Sequence, residues 1–218
     1  MKVYKFGGAS VRNADGVRNL RHIVDGEQEL FIVVSAMGKT TNALERVFSH
    51  MQKGEKEAAN QEIKQIQAYH AEIVNDLWGE PTEINEVTLL FGQLRTIIND
   101  IKYRKADAEL WYDTIVAFGE LISTTIISKY LNHTGLRNRW IDMRTTFITN
   151  QRHKDANVDI KASRMRLMAS LENTGVDVFV GQGFIGAAPD GTTTTLGREG
   201  SDYSAAVVAH ILDAESMS

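Results

Sequence analysis

Val3-Tyr4-Lys5-Phe6-Gly7-Gly8, followed after a polar stretch of helical length by Leu30-Phe31-Ile32-Val33-Val34, decides the fold. The first segment reads as a short strand ending in a tight glycine loop. From about Asn13 to Val24 the chain is polar and amphipathic, as in a surface helix, and the second apolar run is continuous, as in a strand buried on both faces. Strand, helix and strand in that order form a unit of the parallel α/β kind.

Outward from this unit, residues from about Thr41 to Lys102 read as helix in three pieces. The middle piece, Glu55 to Trp78, spaces Ala59, Ile63, Ile66, Tyr69, Ile73 and Leu77 at three and four residues, and Gly79 and Pro81 end it. One further helix is expected over Ala108 to Leu131. Short β segments at Arg139 to Met143 and Phe147 to Asn150 come next, then a helix near Asp159 to Leu171 and a strand at Val176 to Val180. Pro189-Asp190-Gly191, between the arms of Phe184 to Leu196, signals a hairpin. A last helix is expected from Asp202 or Tyr203 to Leu212, with the final residues entering another strand.

Composition bounds the rest. With 218 residues, 43% of them hydrophobic, the chain can bury a core without disulfide or metal, as one large domain or two small ones. Two prolines and no low-complexity tract leave no obvious linker. The absence of cysteine excludes disulfides, thiolate metal sites and a cysteine nucleophile, and fits a reducing cytoplasm. A net charge of −4 with no basic block argues against a nucleic-acid partner, and the six scattered histidines show no metal-ligand spacing. The longest apolar stretch, around Ile115 to Ile127, carries Glu120 and several polar residues, so no membrane span is expected.

Two motifs imitate nucleotide-binding loops. Gly38-Lys39-Thr40 resembles the end of a Walker A sequence, but Val33 stands where the first glycine belongs. Gly181-Gln182-Gly183-Phe184-Ile185-Gly186 matches G-x-G-x-x-G. A dinucleotide site needs a helix to start inside that loop, and Ala187-Ala188-Pro189-Asp190-Gly191 favours a turn instead.

Three constellations suit phosphate and carboxylate chemistry. Lys5-Phe6-Gly7-Gly8-Ala9-Ser10 places a lysine before two glycines that let main-chain N–H groups approach phosphate oxygens; taken alone it reads more readily as an exposed lysine before a turn. Ser35-Ala36-Met37-Gly38-Lys39-Thr40-Thr41-Asn42 follows the second strand, where open α/β sheets bind ligands, although helix capping would use the same residues. Thr192 to Tyr203 sets Arg198 in a glycine-flanked loop, where a guanidinium can grip a carboxylate bidentately, with Ser201 and Asp202 either facing that ligand or capping a helix. Glu120, the one charge between Asp113 and Lys129, lies on a solvent face or turns into a cleft to meet a cation.

In order and spacing, these segments resemble the aspartokinase branch of the amino-acid kinase family. Lys5 to Ser10 is similar to its K-F-G-G-T-S opening, with Ala9 for threonine. Val34 to Asn42 resembles its V-S-A-M segment, and Gly119-Glu120 its glycine-glutamate pair. Gly183 to Gly186 and Thr193 to Ala205 resemble its G-F-I-G and T-T-T-L-G-R-G-G-S-D-Y-S-A-A signatures, with Glu199 in place of a glycine. The resemblance implies a three-layer α/β/α sandwich with a mainly parallel central sheet, residues 1–218 forming the N-terminal portion of one kinase domain. The nucleotide-side remainder and the regulatory ACT domains would lie beyond it, and such a portion would have little activity alone.

The implied activity is phosphoryl transfer from ATP, carried with Mg2+, to the side-chain carboxylate of L-aspartate. This is the first step towards lysine, threonine and methionine. A glutamate-type amino-acid kinase and a non-catalytic remnant of the fold are the alternatives. Lys5 and Asp202 are the implied catalytic residues. Lys5, Gly7, Gly8 and Ser10 would hold the ATP phosphates, and Arg198 would grip the aspartate α-carboxylate. Glu120 and Asp202 would lie near its ammonium, with Ser35, Thr41, Phe184 and Ser201 lining the pocket. No protein-held metal, nucleic acid or membrane is implied. The full-length protein would be cytoplasmic, and a homo-oligomer is allowed.

Overall fold

The computed structural model describes residues 1–100 and 105–218, and of Asp100 and Lys105 the backbone alone. Strands β1 (Lys2–Phe6), β2 (Leu30–Val34), β3 (Arg139–Ile141), β4 (Val178–Gln182) and β7 (Ser216–Met217) form one sheet in the order β3-β4-β2-β1-β7. Every pair in it is parallel. The short strands β5 (Ile185–Ala187) and β6 (Thr193–Thr195) form the expected antiparallel hairpin. All five residues of β2 are buried, as a central strand covered on both faces requires.

Helix α1 (Ala14–Ile23) links β1 to β2, and the Asn13 side chain caps it by accepting from the Gly16 N–H at 3.0 Å. The three expected helices appear as α2 (Thr40–Gln52), α3 (Lys56–Trp78) and α4 (Asn85–Asp100). The expected end of the third piece at Lys102 lies outside the described residues. Gly79 closes α3 in the left-handed conformation, φ 75°, where a glycine carries no Cβ penalty.

The single helix expected over 108–131 is two, α5 (Ala108–Val116) and α6 (Phe118–His133). The chain turns at Ala117 while its N–H still reaches the Asp113 carbonyl at 3.1 Å. Taken together, residues 108–133 are long and apolar enough in composition to cross a bilayer, although 78% of their most apolar window is buried within the protein. They form the central core run, with α6 packed on β2, β3 and β4 and grouped with α2, α3 and α4 on that side of the sheet. Helices α8 (Ile160–Leu171) and α9 (Gly200–Ile211) pack on each other, and α9 lies on β1, β2 and β7. The outcome is the three-layer α/β/α arrangement.

Several expected boundaries shift for physical reasons. Strand β4 starts two residues late because Leu30 pairs with Val178 and donates its N–H to the Asp177 carbonyl. Met143 leaves the β3 segment for a one-turn helix, α7 (Met143–Thr146), because the Asp142 side chain caps it. Residues 147–150 make single bridges, Ile148 to Ala187 and Thr149 to Val158, rather than a strand. The G-x-G-x-x-G lookalike runs into β5 and the hairpin, with no helix starting in it.

Candidate active site

The register of the three central strands builds the site. Phe6, Val34 and Gln182 lie side by side at the last rung of β1, β2 and β4. The loops that follow them, Gly7-Gly8, Ser35-Ala36 and Gly183-Phe184, therefore leave the sheet at one level, at the carboxyl edge where open α/β sheets bind ligands. Hydrogen bonds tie them together: Ser35 N–H to Phe6 C=O at 3.1 Å, Gly38 N–H to Gly8 C=O at 2.9 Å, and Gly183 N–H to Val34 C=O at 2.9 Å.

A cleft of about 300 Å³ opens at this edge, lined by Lys5, Gly8, Ser35, Thr41, Glu120, Phe184, Ser201 and Asp202 together with Ala36, Gly38, Gly197, Glu199 and Gly200. Most of the anticipated residues, from five separate segments, thus meet in one place. Gly7 adjoins the cleft, a Cβ on it lying 3.4 Å from Lys5 Nζ. Ser10 and Arg198 are not among the lining residues. Ser10 is exposed and donates its N–H to the Gly7 carbonyl at 2.9 Å, which closes the glycine turn. Arg198 is exposed in the loop between Gly197 and Glu199, with no hydrogen bond or ion pair among the described residues.

Two glycines are dictated by close approach. A Cβ on Gly8 would lie 2.6 Å from the Ala36 carbonyl oxygen, and one on Gly183 would lie 2.6 Å from both Cβ and Oγ of Ser201. The backbone at these points packs against the neighbouring loop and the first turn of α9. Helix α9 starts at Gly200, with Glu199 at its N-cap in a left-handed conformation, φ 59°, and no side-chain cap. Ser201 and Asp202 are therefore inside the helix rather than capping it. Likewise α2 has no side-chain cap, and Thr40 Oγ1 donates to the Met37 carbonyl at 2.6 Å.

Lys5 Nζ forms an ion pair with Asp202 at 2.7 Å, with Asp202 largely exposed. Glu120 is the opposite case, only 3% exposed although it lines the cleft. Its Oε1 accepts from the Ala36 N–H at 3.1 Å, and its Oε2 has no partner. Burial pushes its carboxyl up to about 8, against the pull of the Ala36 hydrogen bond. In its ionised form such a carboxylate is costly to bury without a cation beside it. The next turn of α6 holds the loop in place, since Ser123 Oγ donates to the Ser35 carbonyl at 2.8 Å.

Asp113 and its partners were not picked out by the sequence reading. This fully buried carboxylate accepts hydrogen bonds from Thr195 Oγ1 at 2.5 Å, His153 Nδ1 at 2.8 Å and the Lys154 N–H at 3.0 and 3.1 Å. Burial raises it above the usual carboxylate range, and those donors oppose the rise. Its one sequence signal is position: Asp113 precedes Glu120 by seven residues, about two helical turns. Among the described residues, no three His, Cys, Asp or Glu side chains are grouped to hold a metal ion.

The sequence profile of the amino acid kinase family matches residues 1–218. The chain belongs to this family. It is 31% identical over 214 residues to lysine-sensitive aspartokinase 3 of Escherichia coli K12, covering 97% of this chain and 46% of that protein. To an aspartokinase of Chlamydia trachomatis serovar D it is 30% identical over 218 residues, covering 99% and 47%. Among solved structures, E. coli aspartokinase III in complex with aspartate and ADP superposes with a TM-score of 0.85 at 30% identity, over all of this chain and 48% of that one. The chain spans about half the length of these relatives.

Proposed function

We propose that this chain carries the amino-acid side of an aspartate kinase, which transfers the γ-phosphoryl group of ATP to the side-chain carboxylate of L-aspartate and gives 4-phospho-L-aspartate. The observation that carries the reading is the bare Oε2 of Glu120, a buried carboxylate oxygen at a cleft that also holds Lys5. An α-ammonium group is the cation of matching size and charge. Its neighbouring α-carboxylate would fall to Arg198, which has no other partner among the described residues and lies between two residues that line the cleft, Gly197 and Glu199.

The side-chain carboxylate of aspartate is ionised at neutral pH, so no general base is needed. One of its oxygens attacks the γ-phosphorus, the bond from that phosphorus to the β,γ-bridging oxygen breaks, and ADP leaves. The protein's part is positioning and charge stabilisation. Gly7 and Gly8 present main-chain N–H groups to phosphate oxygens. Lys5 reaches the transferring group while its ion pair with Asp202 orients it, and Asp202 lies near the ammonium. Ser35, Thr41, Phe184 and Ser201 shape the pocket, and Ser10 steadies the phosphate turn. Magnesium bound to the nucleotide would add charge neutralisation. Residues 1–218 would lie within one kinase domain of a cytoplasmic enzyme that catalyses the first step towards lysine, threonine and methionine. The relatives named as aspartokinases, one of them solved with aspartate and ADP, support this assignment.

A ligand panel tests it by calorimetry. L-Aspartate should bind, N-acetyl-L-aspartate should fail for want of the ammonium, and Arg198→Ala should weaken L-aspartate by about 100-fold, the loss of a charge-assisted pair. Equal binding of the acetylated compound would overturn the assignment, and preference for L-glutamate would move it to another amino-acid substrate.

A further inference from the structure

Residues outside the cleft connect its two ends. Asp113 sits on α5, two turns before Glu120, and is fully buried. A carboxylate there is costly unless donors surround it, and an apolar side chain would fill the space at lower cost. Its donors come from two other segments. Thr195, the last residue of β6, is three residues before Arg198, while His153 and Lys154 belong to the loop after α7.

These segments are also bonded to each other. The Ala156 N–H donates to the Thr195 carbonyl at 2.9 Å, and the hydroxyls of Thr149 and Thr194 meet at 2.7 Å. A Cβ on Gly197 would lie 2.9 Å from Asp155 Oδ1 and 3.2 Å from the Lys154 carbonyl, so the Arg198 loop rests on the backbone that Asp113 holds. Lys154 itself has φ 66°, a conformation that needs surrounding contacts to persist.

We infer that Asp113 is a positioning residue that sets the separation between Glu120 and Arg198, by fastening the strand end before Arg198 to the helix run that carries Glu120. The inference rests on the reading of the cleft as an amino-acid site. A clamp for a small zwitterion tolerates little error, since a misplacement of about 1 Å can cost on the order of 100-fold in rate.

Thr195 allows a test that leaves the buried charge in place. Thr195→Val keeps the shape and removes the donor, while Thr195→Ser keeps the donor. Both are compared with the wild-type chain by amide hydrogen exchange and by L-aspartate titration. Thr195→Val should speed exchange at Lys154, Leu196 and Gly200 at least tenfold, leave β1, β2 and β4 unchanged, and weaken L-aspartate at least fivefold. Thr195→Ser should restore all three. Unchanged exchange at those amides, or faster exchange spread equally over the sheet, would overturn the inference. So would loosened loops with unaltered affinity. If the wild-type chain itself ignores L-aspartate, the proposed function fails, and the exchange pattern still decides whether Asp113 fastens the loops.

Discussion

Glu120 and His70 are both buried titratable groups with one satisfied atom and one bare one. His70, fully buried on α3, uses Nδ1 to reach the Ile66 carbonyl at 2.8 Å and leaves Nε2 without a partner. Glu120 accepts one N–H and leaves Oε2 bare. Burial drives both towards neutrality, His70 down to about 4 and Glu120 up to about 8. What separates them is the space they face. His70 borders a pocket of about 130 Å³ between α3 and α4, less than half the size of the cleft, lined by Val74, Ile84, Val87 and Phe91 together with Gln67, Thr82, Glu83 and Thr88, and it stacks edge-on to Tyr69. Glu120 faces a cleft of about 300 Å³ with Lys5 and Gly8. An unsatisfied buried group becomes a candidate binding group only where the space before it can admit its complement.

The largest predicted effect distinguishes the two by the sign of their pH dependence. The Glu120 carboxyl is raised in the folded state, so stability falls as pH rises from about 4.5 to 8, by up to ~1.4 kcal/mol per pH unit. Glu120→Gln should remove that slope and leave the variant more stable than wild type at pH 8, as read by urea unfolding across pH. His70 is depressed, so its stabilisation is full above pH 6.5 and is lost as pH falls towards 4, at the same limiting slope. His70→Leu should flatten this acid limb over its narrower window and leave L-aspartate affinity intact. A His70 variant that weakens aspartate would break the contrast.

Smaller effects sharpen it at the cleft itself. Gly183→Ala forces a Cβ to within 2.6 Å of Ser201 and should cost ~1–3 kcal/mol, visible as a lower Tm together with weaker aspartate binding. The same change at Gly92 on α4, where a Cβ meets nothing within 4 Å, should stabilise by about 0.5–1 kcal/mol. Smallest of all, Glu199→Gly should relieve a left-handed glutamate by ~1 kcal/mol and raise Tm slightly, with aspartate affinity unchanged or improved by loss of a negative charge.

Much of the fold is legible in the sequence because single-segment signals dominate it. The continuous run Leu30–Val34, the periodicity of α3 and the Pro189-Asp190-Gly191 turn each identify an element unaided. Boundaries fixed by partners are less so: β4 takes its start from pairing with β2, and the chain bends at Ala117 inside one apolar pattern. At the site, motif residues such as Lys5, Gly8 and Glu120 stand out by type and neighbours. Asp113 does not, because its meaning comes from Thr195, 82 residues away, and from His153, 40 away. Neither did sequence distinguish capping from lining roles for Ser201 and Asp202, which depend on α9 starting at Gly200.

The most direct measurement is calorimetric titration of L-aspartate into the wild-type chain and Glu120→Gln at pH 6.5 and pH 8. If Glu120 must ionise to receive the ammonium group, wild-type affinity should rise about tenfold between the two pH values, with a proton released. Glu120→Gln should bind ~10–100-fold more weakly than wild type at pH 8, with no such rise. Equal affinity of the two proteins, or wild-type binding that does not change with pH, would contradict the assignment of Glu120 as the ammonium receptor.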